Sequence, residues 1–380
     1  MPMIRTKKTK ERFYMDNVRI KRKKRQQRIS LFTNIVFCLI TLFALTCCIV
    51  LLLKNYTLKN ESREALAQLK AFEEQSENYI YTQSDLDSYM EEARTQARTE
   101  EKTQLLSQLK VKMSGGGTAI AMLRDFFPED VVVYADGEYS FFPIDDKLKK
   151  HNYVYDNFKQ LENGQIEYVD DTDVVLSKKG IDVSKYQGDI NWKKVALDGV
   201  EYAIIRAGVR GSTEGKIMED ENFADNMEGA LENGIETGAY FFTQAVTEEE
   251  AIEEAEFVLD MIEPYDVSYP IVLDIEEVTS DKARTADLTK EDYTRNCIAF
   301  CETIKDAGYT PMIYGNLKTF LIMLDMEQLE DYQKWFAYYN APVYFPYEFD
   351  IWQYSSKGSV NGIKGDVDLN ICMKDLGKKD

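Results

Sequence analysis

Hydrophobic and polar positions divide the chain into stretches with different periods. Residues 29–53 form an apolar run of 25 residues without a charged side chain. As a helix at ~1.5 Å per residue it spans about 38 Å, enough to cross a ~30 Å hydrocarbon layer with some tilt. Residues 54–113 are rich in Glu, Gln, Lys and Ala and hold neither Pro nor Gly, which predicts a long polar helix. Within it Leu69, Phe72, Ser76, Tyr79, Gln83, Leu86, Met90, Ala93 and Ala97 alternate steps of three and four, the seam of a heptad repeat. The seam permits a parallel homodimer through this stalk, although Ser76 and Gln83 make it polar. Gly115-Gly116-Gly117 predict a flexible linker over residues 114–119. Over residues 120–177 the pattern turns aromatic and alternating, with Asp136-Gly137 as a turn between runs 131–134 and 139–142. This predicts a small β-rich spacer domain.

The last two hundred residues read differently. Apolar runs recur at 180–183, 202–207, 238–242, 271–275, 311–314, 335–339, 351–354 and 367–371. Amphipathic stretches lie between them at 223–232, 248–262, 290–307 and 317–329. Alternation of strand and helix predicts an α/β domain over 178–380, a barrel or a doubly wound sheet. The last three runs are too closely spaced for full helices between them. The pattern therefore fits an irregular (β/α) TIM-like barrel.

Charge assigns sides. Lys and Arg number 46 and Asp and Glu 66, a net of −20, which argues against nucleic acid as a partner. Residues 1–28 run the other way, with twelve basic residues against Glu11 and Asp16. A basic flank before the apolar run keeps the N-terminus in the cytoplasm and places everything after Lys54 outside. A cleaved signal peptide fits poorly, because the run exceeds the usual h-region of about 7–15 residues. Cys38, Cys47 and Cys48 lie in the apolar run, and Cys297, Cys301 and Cys372 read as buried thiols. A single histidine, His151, reads as an ordinary surface residue of the spacer. Serine triads, Cys-His pairs and HExxH zinc sites need that residue or more than it. Any chemistry then falls to carboxylates.

In Leu273-Asp274-Ile275-Glu276 a buried-type run leads into two acids at i and i+2, which a strand points to one face. Their backbone separation of about 6.8 Å is of the order at which glycoside hydrolysis holds two carboxyl groups. Mutual repulsion raises the pKa of one so that it stays protonated as a general acid. Asp182 sits on the first strand and Asp368 on the last, neighbours in a closed barrel. Tyr186, Tyr240, Phe242, Tyr314, Tyr339, Trp352 and Tyr354 gather at the same strand ends with Gln353. Such aromatics offer faces for sugar C–H groups, and amides and carboxylates offer partners for hydroxyls.

Gly180-Ile181-Asp182-Val183-Ser184-Lys185-Tyr186-Gln187-Gly188 with Trp192, Ala203-Ile204-Ile205-Arg206-Ala207-Gly208, Leu273-Asp274-Ile275-Glu276, Trp352-Gln353-Tyr354 and Val367-Asp368-Leu369-Asn370 resembles glycoside hydrolase family 25. These are the N-acetylmuramidase-type lysozymes, and the resemblance covers roughly residues 178–376. It implies an irregular β/α barrel that hydrolyses the β-1,4 bond between N-acetylmuramic acid and N-acetylglucosamine in peptidoglycan glycan strands, with no cofactor and no metal. The four active-site acids of the family fall on Asp182, Asp274, Glu276 and Asp368. Glu276 is expected as general acid and base. Asp274 is expected either to attack the anomeric carbon or to orient the substrate's 2-acetamido group, and Asp182 and Asp368 to support the pair. Substrate contacts are expected from Tyr186, Arg206, Tyr240, Phe242, Tyr314, Trp352, Gln353 and Tyr354.

The chain departs from the family twice. Many members carry a histidine after the tyrosine of the third strand, where this chain reads Gly238-Ala239-Tyr240-Phe241-Phe242, and Asn191 precedes Trp192 where an Asp is usual. Two other readings stay open: a non-catalytic wall-binding module on the same groove, and a metal-dependent hydrolase, since clustered acids also suit Mg²⁺ or Ca²⁺. Resemblance and topology together imply a single-pass protein of the cell membrane of a Gram-positive bacterium, working on local wall remodelling.

Overall fold

A computed structural model describes residues 4–76, 82–114, 118–280 and 282–377. The glycines of the expected linker and Tyr79 of the heptad seam lie outside the described residues. The chain forms two compact units, Met1–Ser107 and Gln108–Asp380.

The first unit is helical. Helix α1 (Ile4–Ser76) runs for 73 residues without a break, so the basic tail, the apolar run and the start of the stalk share one helix. Its stretch Asn34–Phe72 is long and apolar enough to cross a membrane. Within the stretch expected as one long helix Thr82 is not helical, and α2 (Gln83–Ser114) begins afresh. The cause is a local cap. Thr82 Oγ1 accepts from the Asp85 N–H at 3.2 Å while Asp85 Oδ2 accepts from the Thr82 N–H at 2.8 Å, a reciprocal pair that marks a helix start.

The second unit takes in the end of α2 and continues with α3 (Ala119–Phe126) and an antiparallel hairpin of β1 (Asp130–Ala135) and β2 (Glu138–Pro143). Asp136 and Gly137, at φ 53° and 83°, supply the two left-handed positions of the predicted tight turn. A second hairpin pairs β3 (Phe158–Gln160) with β4 (Ile166–Tyr168). These hairpins are not the separate spacer domain expected. Val131, Val133, Leu148 and Ile166 belong to the same hydrophobic core as the barrel residues Ile181, Ile205 and Phe336. His151 is likewise no ordinary surface residue: its ring stacks on Tyr153 at 5.1 Å and meets Phe349 edge-on at 5.4 Å, and burial lowers its pKa.

The eight apolar runs become eight barrel strands: β5 (Lys178–Val183), β6 (Tyr202–Arg210), β8 (Glu236–Phe242), β9 (Ile271–Asp274), β10 (Pro311–Gly315), β11 (Gln333–Ala337), β12 (Ile351–Gly358) and β13 (Val367–Cys372). A short β7 (Ile217–Glu219) pairs with the end of β6 as an outlying hairpin. Neighbours from β5 through β12 are parallel, and β5 pairs with β6. The last strand, β13, runs antiparallel to both β12 and β5, and this closure separates the barrel from an all-parallel one. Helices α4 (Trp192–Leu197), α5 (Phe223–Glu232), α6 (Glu248–Ile262) and α7 (Lys290–Asp306) occupy the early crossovers. The stretch 317–329, expected as a helix, keeps only a π-helical turn at Thr319–Met323. Asn191 caps the start of α4, its Oδ1 accepting from the Lys194 N–H at 3.1 Å.

Two-residue alternation sorts each strand. Ile181, Ile205, Phe241, Leu273 and Trp352 face outward into the main core, while Tyr202, Ile204, Val272, Met312, Trp335 and Ile351 fill the barrel's interior as a second cluster. That inner cluster is a floor. The interior tolerates no addition at Gly180, where a Cβ would fall inside the ring of Tyr202, itself stacked on Tyr269 at 4.5 Å.

Gly180→Ala is therefore expected to destabilise the barrel by about 1–3 kcal/mol through overpacking, lowering the melting midpoint by roughly 2–4 °C per kcal/mol. Thermal denaturation followed by circular dichroism checks this; an unchanged midpoint would show that the ring of Tyr202 moves aside freely.

Candidate active site

The carboxylates owe their meeting to strand parity. Asp182 shares the inward face of β5 with Gly180, and Asp274 follows Val272 on β9, with Glu276 two residues beyond. Asp368 comes from the start of β13, and because that strand is antiparallel its start lies at the mouth where the parallel strands end. There Asp368 pairs in register with Asp182. All four acids line one cavity of about 560 Å³, together with Tyr186, Arg206, Tyr240, Phe242, Tyr314 and Gln353.

Two expected contacts are placed elsewhere. Trp352 and Tyr354 flank Gln353 on β12, so when Gln353 faces the cavity they face out. Both are buried in the main core; Trp352 Nε1 donates to the Tyr338 carbonyl at 2.7 Å and its ring meets Phe158 at 5.3 Å. The alternation of β12 carried this information. Conversely, the cavity holds Trp335 and Tyr339 from β11 and its exit loop, and Val209, Met218 and Ser212 from the β6–β7 hairpin.

A neutral hydrogen-bond network holds Asp182. Its Oδ2 accepts from Gln353 Nε2 at 2.9 Å and from Asn370 Nδ2 at 2.8 Å. Asn370 Oδ1 accepts from Trp335 Nε1 at 2.8 Å, and Gln353 Oε1 accepts from the hydroxyls of Tyr314 and Tyr339, each at 2.8 Å. Every donor is uncharged. Two arginines line the cavity: Arg210 is held by Glu253 and Glu254, and Arg206 is bound by Asp220, with Nε–Oδ2 2.7 Å and Nη2–Oδ2 2.6 Å, and its guanidinium lies 4.9 Å from the ring centre of Tyr186. Asp220 went unread in the sequence. The signal was indirect: an arginine on a buried strand requires a carboxylate partner.

Electrostatics follow from this crowding. Burial pushes Asp182 well above the ordinary carboxylate range, with Asp368 adding repulsion and the two amides opposing. Burial also raises Asp274, with Glu276 and Asp182 adding to the shift and Arg206 opposing it; one Asp274 oxygen, Oδ1, has no hydrogen-bond partner among the described residues. Glu276 is raised by burial against the Tyr314 hydroxyl, and Asp368 is raised to about 6, by burial first and by Glu276 among the charges. Such a site can keep a carboxylic acid protonated near neutral pH beside a second carboxyl group, the requirement for protonating a leaving group. Among the described residues no group of three His, Cys, Asp or Glu side chains is arranged to hold a metal ion.

The model of glycosyl hydrolases family 25 matches residues 181–363. Protein YegX of Escherichia coli is 32% identical over 200 residues, covering 50% of this chain and 68% of its own length. Lysozyme M1 of Streptomyces globisporus is 30% identical over 207 residues, covering 50% and 66%. The solved structure of the modular autolysin LytC from Streptococcus pneumoniae is 26% identical with a TM-score of 0.47, covering 63% of this chain and 57% of that one.

Asp368 yields a prediction on stability. Its folded pKa of about 6 lies above the ordinary value near 3.9. Between those values the folded chain keeps a proton that the unfolded chain has released, so this group's contribution is complete below pH ~4 and is lost as pH rises through ~6. Asp368→Asn, which cannot ionise, is expected to gain in melting temperature relative to the parent between pH 4.5 and 7.5. Melting curves of both proteins at the two pH values check it, and a constant difference would mean that Asp368 titrates normally.

Proposed function

We propose, on the premise that the chain belongs to glycosyl hydrolase family 25, that it is a membrane-anchored muramidase. It cleaves the β-1,4 bond between N-acetylmuramic acid and N-acetylglucosamine in peptidoglycan. The observation that carries this reading is the meeting of Asp182, Asp274, Glu276 and Asp368 in one aromatic-walled cavity.

In the proposed reaction Glu276, its pKa raised by burial, protonates the glycosidic oxygen as the C1–O bond breaks. It then takes a proton from the water that attacks C1. Asp274, which lines the cavity, either bonds to C1 or holds the substrate's acetamido group against it. Asp182, fixed by Gln353 and Asn370, and Asp368 beside it add to the proton affinity of Asp274. Tyr186, held against Arg206, and Tyr240, Phe242 and Tyr314 supply ring faces and hydroxyls for the sugars.

Residues 29–53 within α1 are the proposed anchor, with the basic tail in the cytoplasm and the barrel outside. Exposed Leu69, Phe72, Leu86 and Met90 support pairing of two stalks along the heptad seam. A tethered enzyme works at high local concentration on the wall over its own membrane, which favours local remodelling in a Gram-positive cell.

Glu276→Gln is expected to lower release of reducing sugar from purified cell wall by roughly 10²–10⁴-fold with the melting temperature kept. Undiminished activity would remove Glu276 from its role. Mass spectrometry of the products of the parent protein should show reducing ends on N-acetylmuramic acid, and activity should persist in EDTA. Wall binding without cleavage would indicate a binding module, and loss in EDTA restored by a divalent ion a metal-dependent hydrolase.

A further inference from the structure

Resting on the muramidase reading, we propose that the β1–β2 hairpin is a second part of the substrate site. It forms an aromatic ledge that receives the glycan strand as it leaves the barrel mouth, with Tyr134 and Tyr139 as the sugar platform.

The hairpin is fastened to the loops that leave the barrel strands at the cleft end. Lys318, three residues past β10, gives its ammonium to Asp136 in the hairpin turn, Nζ–Oδ1 2.6 Å, and also to Glu277, the neighbour of Glu276. Arg124 of α3 donates to Tyr338 Oη at 2.7 Å, one residue from cavity-lining Tyr339, and lies 3.7 Å from the ring centre of Tyr344. Tyr344 Oη accepts from the Val132 N–H at 3.0 Å. Exit loops of β10 and β11 thus hold this segment, and Glu277 after β9 braces Lys318. Its tip is secured against the residue next to the acid pair.

Register decides which side chains the hairpin offers. Tyr134 pairs with Tyr139 and Val132 with Phe141, so Tyr134, Tyr139 and Phe141 share one face, while Val131 and Val133 on the other enter the core. Tyr134 is 54% exposed and Tyr139 40%, with ring centres 4.6 Å apart; Phe141, in edge contact with Phe127 at 4.8 Å, extends the patch. Scattered exposed aromatics need no explanation, but a contiguous cluster on one face marks a binding surface. The occupant follows from continuity. A cavity of about 560 Å³ is of small-ligand size, whereas the proposed substrate is a polymer, so the strand must leave across the rim. Lys318 joins Asp136, in the turn between the two tyrosine-bearing strands, to Glu277 beside Glu276, so a strand leaving past the acid pair meets the hairpin that carries these tyrosines, whose rings suit the C–H faces of a pyranose.

The test compares the full-length protein with its Tyr134→Ser/Tyr139→Ser variant, both in detergent, on long peptide-free glycan strands and on a tetrasaccharide too short to leave the mouth. The ratio of kcat/KM for long over short substrate is expected to fall about tenfold in the variant. An unchanged ratio overturns the ledge, as does an equal loss on both substrates, which a structural role would give. In the Glu276→Gln background, calorimetric binding of long strands is expected to weaken to the same degree, and unchanged affinity would also overturn it. Self-association that depends on these tyrosines while the ratio stays fixed would assign the face to a second copy and end the proposal. If the parent protein cleaves neither substrate, the muramidase reading itself fails, a result distinct from an active enzyme with no length preference.

Discussion

Four carboxyl groups share one desolvated mouth, and the rest of the barrel answers to the problem this creates. Like charges that close repel strongly where water is scarce. Cations are not the remedy, since Arg206 is largely satisfied by Asp220. Instead Gln353 and Asn370 give Asp182 two neutral donors, and each amide is oriented from behind, by Tyr314 and Tyr339 in one case and Trp335 in the other. Neutral donors steady a carboxylate without quenching the upward shift of its neighbours. Raised proton affinity, the property acid catalysis needs, is therefore a consequence of what is withheld from the site as much as of what is supplied.

The same demand explains the irregular closure. In an all-parallel barrel the final strand would present its C-terminal end at the mouth, and Asp368, near the start of β13, would lie at the other end. Reversing β13 brings that residue into register with Asp182 and places Asn370, two residues on, beneath it. Below them Tyr202, Val272, Met312 and Ile351 close the interior. The acids have a dry floor on one side and an open cavity on the other.

Much of this was legible, and the gaps have physical causes. Eight apolar runs marked eight strands because a buried strand leaves a dense local signal. Asp274 and Glu276 could be assigned to one face by period alone. The same period, applied to Trp352-Gln353-Tyr354, places the aromatics opposite the amide; chemical suitability for sugars had outweighed geometry there. The packing of His151 and of residues 120–177 leaves no local pattern, because their partners, such as Phe349 and Tyr344, lie some two hundred residues away. The break before α2 was written in Thr82 and Asp85 but masked by the helical composition on both sides. Helix 317–329 failed for a different reason. Tertiary contacts, including Thr319 Oγ1 donating to the Ile275 carbonyl at 3.1 Å, draw the segment into a π turn against β9.

A final constraint joins charge to anchoring. Without residues 1–28, with twelve basic residues against two acidic ones, the rest of the chain is still more acidic than the net of −20 for the whole, which sets it against any anionic polymer. Electrostatic steering, which speeds many enzymes to charged substrates, then works against encounter. Recognition in the proposed reaction must come from short-range contacts, rings on sugar faces and hydroxyls on amides, which act only after the strand has arrived. In the proposed arrangement a membrane anchor would replace the missing attraction by confining enzyme and wall to one layer. It also fits the weak individual contacts that such a cavity offers, because a strand released by a confined enzyme meets it again before diffusing away. Under that proposal charge and anchor act together: the charge that discourages adhesion would keep the enzyme free to move between strands, and the anchor would limit how far it can go.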